Sequence, residues 1–427
     1  LNRHRALLVE SFEAAVGAAD ARRILGAHLP PERPRRVLVV GAGKAAAAMA
    51  YAVEQAWADQ PLEGIVITRY GHGVPTASIE VVLAGHPVPD AAGESAARRI
   101  LAEVAKLTAK DLLIVLISGG GSSLMTLPAA GLSIEDVMAL NRELLRSGAP
   151  ITAMNIIRKH VSAISGGRLA AASAAPVLAL IISDVTGDDP SAIASGPCAP
   201  DPSTFQEALQ LIGRHGVRAP QAVLRHLEQG ALGLIEETPK PGDAVFARVE
   251  NRIIATPHES LVAAQAWFHG KGLPAVILGD TVTGEAREVA KVYAALVREI
   301  REYGQPWHRP VALISGGECT VTIDPANLGT GRGGRCTEFL LALALELDGL
   351  EGVYALACDT DGIDGSEDNA GAVLFPDSLA RASEAGLSGR AALDANDAWD
   401  FFARTGDLIV TGPTRTNVND YRVILIT

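Results

Sequence analysis

DLLIVLISGGGSSLM, from Asp111 to Met125, runs a continuous apolar stretch straight into three glycines and two serines. A short unbroken apolar run bounded by turn residues is the pattern of a strand buried on both faces. The glycines behind it leave bare backbone at the strand's carboxyl end. The same LISGG returns at Leu313 in RPVALISGGECTVTI (Arg309 to Ile323), so two parts of one chain end a buried strand in the same turn.

Working outward from Asp111, apolar runs alternate with helical patterns. VLVV (Val37 to Val40) precedes a helix from Ala45, GIVIT (Gly64 to Thr68) and EVVLA (Glu80 to Ala84) precede a helix from Ala91, and APVLALIIS (Ala175 to Ser183) follows. The stretch from Pro200 to Gly242 is helical and polar, and ETPKPGD reads as a boundary loop. Beyond it come NRIIAT, a helix over Glu259 to His269, PAVILG, a helix over Gly284 to Tyr303, VYALACD, DLIVTG and YRVILIT. Strands separated by helices imply βαβ units. The expectation is an α/β chain of two domains, each a largely parallel sheet flanked by helices. A Rossmann-like first domain would span 1–243 and the second 244–427.

Composition agrees. Of 427 residues 48% are hydrophobic but only 4% aromatic, which suits sheets closely covered by helices. No apolar run approaches the roughly 20 residues that cross a bilayer, and the opening LNRHRALLVESFEAAV is amphipathic rather than a secretory signal. The four cysteines form no CxxC pair, arguing against a zinc site or a disulfide framework. A reducing cytoplasm is the expected home. A net charge of −12 without a Lys/Arg block offers nucleic acid no basic face. The partners expected are small molecules, with no nucleic acid, no membrane, and a monomer or homodimer as the working unit.

Glycine clusters fall at strand ends, where open parallel sheets bind their ligands: GAGKAA, SGGGSS, SDVTGDDPSAIASGP, SGGE and DTDGIDG. Glycine lets consecutive N–H groups converge on an anion, so phosphate or carboxylate is the expected guest. A Walker motif is absent, since Lys44 is followed by Ala45. Gly41, Gly43 and Ala46 fit the dinucleotide fingerprint, but Thr68 and Arg69 stand where an acid is expected at the end of the next strand. Asp359, Asp361 and Asp364 fail as a calcium loop because Ile363 interrupts the pattern. Ser122 and Ser123 lack the GxSxG context of a hydrolase elbow, and His86 in GHPVPD reads as a turn residue. Among the charges, Lys44 sits on the first glycine loop, NIIRKHVSAISGGRLA carries Arg158, Lys159 and Arg168, and Arg332 and Arg335 lie among the glycines of GTGRGGRCTE, all able to reach phosphate oxygens. Asp184, Asp188 and Asp189 supply carboxylates, Asp189 also as a helix cap.

Taken together, PRRVLVVGAGKAAAAMA, AGHPVPDAAG, LISGGGSSLM, IIRKHVSAISGGRLA, ISDVTGDDPSAIASGP, GGECTVTI, GRGGR, DTDGIDG and TGPTRTNVND resemble, in order and over nearly the whole chain, the glycerate 2-kinases of the MOFRL-containing class. Members are often labelled hydroxypyruvate reductases. The resemblance implies transfer of the ATP γ-phosphate, with Mg²⁺, to the 2-hydroxyl of D-glycerate in an interdomain cleft. Lys44 and Arg335 match its basic catalytic residues and Asp189 the acid of its GDDPS motif, with Asp184 and Asp189 as metal ligands. Nucleotide phosphates would meet Gly43, Gly119, Gly120, Gly121, Ser122, Ser123, Lys159 and Gly196. The acid would meet Arg168, Glu318, Asp361 and Asn417. Three departures bear on the substrate: Cys336 and Thr337 where GRNQE is common, Arg415 for a glycine in TGPTGTN, and Ser165 for a lysine before GGRL. The alternatives are an NAD(P)H-dependent hydroxypyruvate reductase, resting on GAGKAA and Arg69, and a catalytically silent ligand-binding protein on the same scaffold.

Overall fold

The structure, a computed structural model, describes residues 2–31, 34, 36–59, 62–325 and 330–427. Contacts divide the chain into two compact units, one of Ala21–Ile254 and one combining residues up to Asp20 with Ala255–Thr427. A single cut at Asp243 therefore misses the N-terminal segment. The helix Asn2–Ala18 packs Leu8, Phe12 and Ala15 against Leu261, Ala264, Phe268 and Tyr421 of the second unit. Tyr421 Oη bonds Ser11 Oγ at 2.9 Å there, and Thr416 Oγ1 donates to the Ala19 carbonyl at 2.8 Å.

The first unit is built on a six-stranded sheet of β1 (Val37–Ala42), β2 (Glu63–Arg69), β3 (Glu80–Ala84), β4 (Leu112–Ile117), β5 (Val177–Ile182) and β6 (Val249–Ala255), in the order β3-β2-β1-β4-β5-β6. The pairings among β1 to β5 are parallel. Every residue of β1, β4 and β5 is buried, as strands covered on both faces must be. Ala42 pairs with both Ile67 and Ile117, so β1, β2 and β4 deliver their following turns at one level. Helices Ile134–Arg146, Ile151–His160, Phe205–Arg214 and Gln221–Ala231 form a satellite core of Leu140, Leu144, Ile157, Phe205, Leu211 and Val223. A capping box between Ser133 and Asp136 starts the first of them.

The second unit holds β7 (Ala275–Gly279), β9 (Val311–Ser315), β11 (Val353–Asp359), β12 (Gly371–Leu374), β13 (Leu408–Ile409) and β14 (Asp420–Ile426), ordered β13-β12-β11-β14-β9-β7, with a two-residue pair of β8 (Gly284–Glu285) and β10 (Cys319–Thr320) beside it. Only β7 and β9 run parallel in this sheet; the other pairings are antiparallel. The expectation of a largely parallel second sheet is corrected here. β11 returns to β12 through a loop, with no crossover helix, and the C-terminal β14 enters between β11 and β9. Helices Ala286–Tyr303 and Arg335–Leu347 cover one face with Val297, Phe339 and Leu343.

An ionic cluster sits inside this second core. Arg422 and Asp420 are each 1% exposed, Arg422 Nη2 pairs with Asp420, and Arg422 Nη1 donates to the Gly316 carbonyl at 2.8 Å. Removing one partner of a buried pair strands the other charge. Asp420→Asn should lower the urea midpoint by an amount equivalent to about 3–5 kcal/mol; an unchanged midpoint would show the cluster to be dispensable. The four cysteines are free and buried, and burial pushes the Cys198 thiol up to about 12. A thiol reagent at pH 8 should label none of them in the native protein and all of them after denaturation.

Candidate functional site

In the first unit, connections leave β1 toward β2 on one side and β4 toward β5 on the other, which makes the carboxyl ends of β1 and β4 the crevice of the sheet. The two turns there are bonded to each other. The Lys44 amide donates to the Gly119 carbonyl at 2.8 Å, and the Ala45 amide to Ser118 Oγ at 2.9 Å. Gly43 has φ +142°, and a Cβ on it would lie 2.1 Å from Ser118 Oγ. Only glycine permits that approach. Gly120, at φ +81°, faces the stem of Lys44 and the His86 imidazole. Lys44 is half-buried.

Ser122 Oγ lies 3.0 Å from Ser195 Oγ, which ties the β4 turn to the loop after β5. In that loop Ala194, Ser195 and Gly196 are all left-handed, at φ 50°, 59° and 60°. Non-glycine residues there cost on the order of 1–3 kcal/mol each and gather where a site needs them. The Gly166 and Gly167 amides hold this loop by donating to the Ser195 and Gly196 carbonyls at 2.9 and 2.8 Å. A cavity of about 270 Å³ opens beside the two turns, bordered by His86, Gly120, Ser122, Ser123 and Arg158 among others.

A second cavity in this unit, about 400 Å³, brings together Lys159, Asp189 and Asp201. Lys159 is buried and its Nζ lies 3.5 Å from Asp201 Oδ1. Arg168 turns inward, donating Nη1 to the Lys159 carbonyl at 2.9 Å at the end of helix Ile151–His160. Asp189 is exposed, and its oxygens accept from the Ser191 amide and hydroxyl at 2.8 Å each, which is the turn-capping arrangement. Neighbouring Asp188 is left-handed at φ 52°, and its Oδ1 is buried without a hydrogen-bond partner among the described residues. No cluster of three His, Cys, Asp or Glu able to hold a metal occurs among the described residues. Mg²⁺ carried on nucleotide phosphates asks for only one or two carboxylates. The Asp188 oxygen and half-buried Asp184 fit that demand.

In the second unit Arg335 opens helix Arg335–Leu347. Its Nε donates to Asp420 Oδ1 at 2.8 Å and its Nη2 to Asp359 Oδ2 at 2.7 Å, with exposed Glu318 at 3.6 Å. Burial alone would lower its pKa; Asp420 and Asp359 more than offset this and hold it well above the ordinary arginine value. A cavity of about 300 Å³ lies beside Arg335, Arg332, Gly333 and Glu338. Gly329, which begins the GTGRGGRCTE stretch, lies outside the described residues. Asp361 accepts from the Ile363 amide at 2.8 Å, and Asn417 is buried in the segment before β14. Sequence reasoning missed Asp420, whose single letter sits in an apolar strand start, and Ser195, whose left-handed backbone nothing local announces.

Known proteins share this architecture. The family described as "Domain of unknown function (DUF4147)" matches residues 7–228, and the MOFRL family matches residues 311–420. An Agrobacterium vitis protein named "Putative hydroxypyruvate reductase" is 50% identical over 99% of this chain and 94% of its own length. The D-glycerate 2-kinase of Thermotoga maritima is 36% identical over 98% of each. A crystal structure of glycerate kinase from Thermotoga maritima superposes with a TM-score of 0.88 at 36% identity, covering 100% of both chains.

The paired turns make a prediction that needs no substrate. Gly43→Ala should destabilise the protein by about 1–3 kcal/mol through its backbone conformation alone, with the overlap on Ser118 adding to that; a thermal midpoint within a degree of the parent would sink this account of the turn.

Proposed function

The chain belongs to the glycerate kinase family, and we propose that it transfers the γ-phosphoryl group of ATP to the 2-hydroxyl of D-glycerate or a close 2-hydroxyacid, giving the 2-phosphate. The observation that carries this reading is the pair of interlocked turns at the sheet crevice, with Lys44 against Gly120 and Ser122 bonded to the strained loop after β5. Backbone amides of Gly119 and Gly120, with the Ser122 and Ser123 hydroxyls, would receive nucleotide phosphates, while Gly43 and Gly121, whose amides already donate to the Ile67 and Ser118 carbonyls at 3.1 and 3.3 Å, would shape the turns around them. Gly196 would keep its loop shaped for them, and Lys159 would steady the adjoining wall.

In the step itself the acid's hydroxyl oxygen forms a bond to the γ-phosphorus as the bond to the bridging oxygen of ADP breaks. The hydroxyl proton passes to Asp189, whose carboxylate is oriented by Ser191. Lys44 and Arg335 would offset charge spreading over the transferred group. Mg²⁺, held by Asp184 and Asp188 or Asp189, would neutralise phosphate charge. Arg168, Glu318, Asp361 and Asn417 would act as supports, since Arg168 and Asp361 already bond backbone groups.

Hydride transfer to hydroxypyruvate is the second reading, favoured by the strand order and by GAGKAA. Against it, Thr68 at the end of β2 is fully buried and donates to the Lys44 carbonyl at 3.4 Å, and no acid is there to hold a ribose.

Phosphorus NMR of the protein with Mg·ATP and D-glycerate decides between them. A new phosphomonoester coupled to the proton on carbon 2 is expected, and Lys44→Ala and Arg335→Ala should each lower turnover on the order of 10³-fold, by analogy with arginine fingers. Coupling to carbon 3 protons would overturn the regiochemistry. Nucleotide binding without any phosphorylated acid would point to a silent binder, and a thermal shift with NADPH but not ATP would favour the reductase.

A further inference from the structure

The cavity beside Gly120 has a wall that phosphate binding does not explain. Pro87, Leu127, Val137, Leu145 and Val161 contribute to it, together with Ser122, Ser162 and Ser195. Into this mixed space comes Arg158 from helix Ile151–His160. Its Nε donates to Asn141 Oδ1 at 2.9 Å and its Nη1 to Asn155 Oδ1 at 3.4 Å, so the side chain is fixed by two neutral amide oxygens. Among the described residues no carboxylate pairs with it, and its Nη2 donates to no protein group.

The other functional arginines are different. Arg335 is compensated by Asp359 and Asp420, and Arg168 bonds a carbonyl with Glu237 and Asp201 nearby. Burial pulls the Arg158 pKa down with no carboxylate opposing it. A guanidinium stays protonated regardless, so this half-buried cation turns an uncompensated edge to the cavity, where an anionic ligand can pair with it. A fork with one free edge matches a carboxylate, and the adjacent apolar wall matches a hydrocarbon substituent better than it matches a triphosphate.

Size points the same way. The cavity encloses about 270 Å³, near the lower end of the roughly 300–1,000 Å³ that holds drug-sized ligands, whereas glycerate has only seven non-hydrogen atoms. We propose that this cavity is the acid subsite, that Arg158 binds the substrate carboxylate, and that the apolar wall admits 2-hydroxyacids bulkier and more apolar than glycerate. This rests on the reading that a 2-hydroxyacid is the phosphoryl acceptor. Ser165, a short side chain that accepts from Ser162 Oγ at 3.1 Å, also lines the cavity and takes up little of its space.

Calorimetry with the full-length protein tests it, titrating D-glycerate, (R)-2-hydroxy-4-methylpentanoate and a non-hydrolysable ATP analogue in turn. The parent should bind the branched acid at least as tightly as glycerate. Arg158→Gln should weaken both acids by about 30-fold or more, the scale for unpairing a buried charge, and leave the ATP analogue within about threefold; Arg158→Lys should fall between. Val137→Trp should lose the branched acid and keep glycerate. Melting temperatures establish that each variant is folded. Acid binding unchanged in folded Arg158→Gln, or loss of the ATP analogue in its place, overturns the proposal. Phosphorus NMR separates the two levels: transfer to glycerate with a KM indifferent to Arg158 leaves the kinase standing without this subsite, and Arg158-dependent acid binding without transfer leaves the subsite standing without the kinase.

Discussion

The hydrogen bond from the Lys44 amide to the Gly119 carbonyl is the constraint on which the first unit's site is built. It joins the turns after β1 and β4, and it can form only because Gly43 carries no side chain to strike Ser118. Once the turns are joined, Lys44 lies along Gly120, Gly120 must be left-handed, and Ser122 comes within reach of Ser195. Ser195 belongs to a loop whose backbone is costly, and that cost is met by the Gly166 and Gly167 amides from the segment after helix Ile151–His160. The same helix presents Arg158 to the cavity. Fixing one backbone contact thus positions a cation, a set of amides and an arginine together.

The second unit works by charge compensation. Arg335 and Arg422 share Asp420, and Arg335 also engages Asp359. Burying such a network stabilises the fold little in net terms, yet it sets the geometry of its members within narrow limits. Arg335 is consequently a donor of fixed direction rather than an isolated positive field. With carboxylates on its Nε and Nη2 and Glu318 near by, its value to an anionic ligand lies in orientation more than in attraction.

Much of this was legible from residue order, and the failures have a common cause. Fully apolar runs announced β1, β4 and β5 because a strand covered on both faces leaves little room for polar letters, and the apolar stretches of β9 and β14 announced those strands although β14 also carries the buried Asp420 and Arg422. Glycine clusters marked the strand ends because bare backbone has few other uses in such numbers. Hydrophobicity reports burial but not direction, so the antiparallel return of β12 and the insertion of β14 stayed hidden. The docking of helix Asn2–Ala18 on the second unit was invisible for the same reason: its apolar stripe names no partner. Asp189 and Asp188 are adjacent letters, and only the backbone turn at Asp188 separates the capped carboxylate from the one with an open oxygen.

The departures from the family pattern can be sorted by what their side chains touch. Thr337 accepts from the Gly334 amide at 3.1 Å and donates to buried Asp364 at 2.8 Å, so it closes the start of helix Arg335–Leu347. Arg415 occupies φ +65°, the conformation for which glycine is the natural choice, and its difference is one of backbone strain at a turn. Cys336 is wholly buried in the second core. These three changes alter scaffolding. Ser165 is the exception, because it alone among them borders the first unit's cavity. A hydroxyl in place of a long cationic side chain removes positive charge and adds space at the same point. Arg158 is then the cavity's anchoring cation, and the apolar wall sets the size of the substituent that an acid can carry beyond its carboxylate.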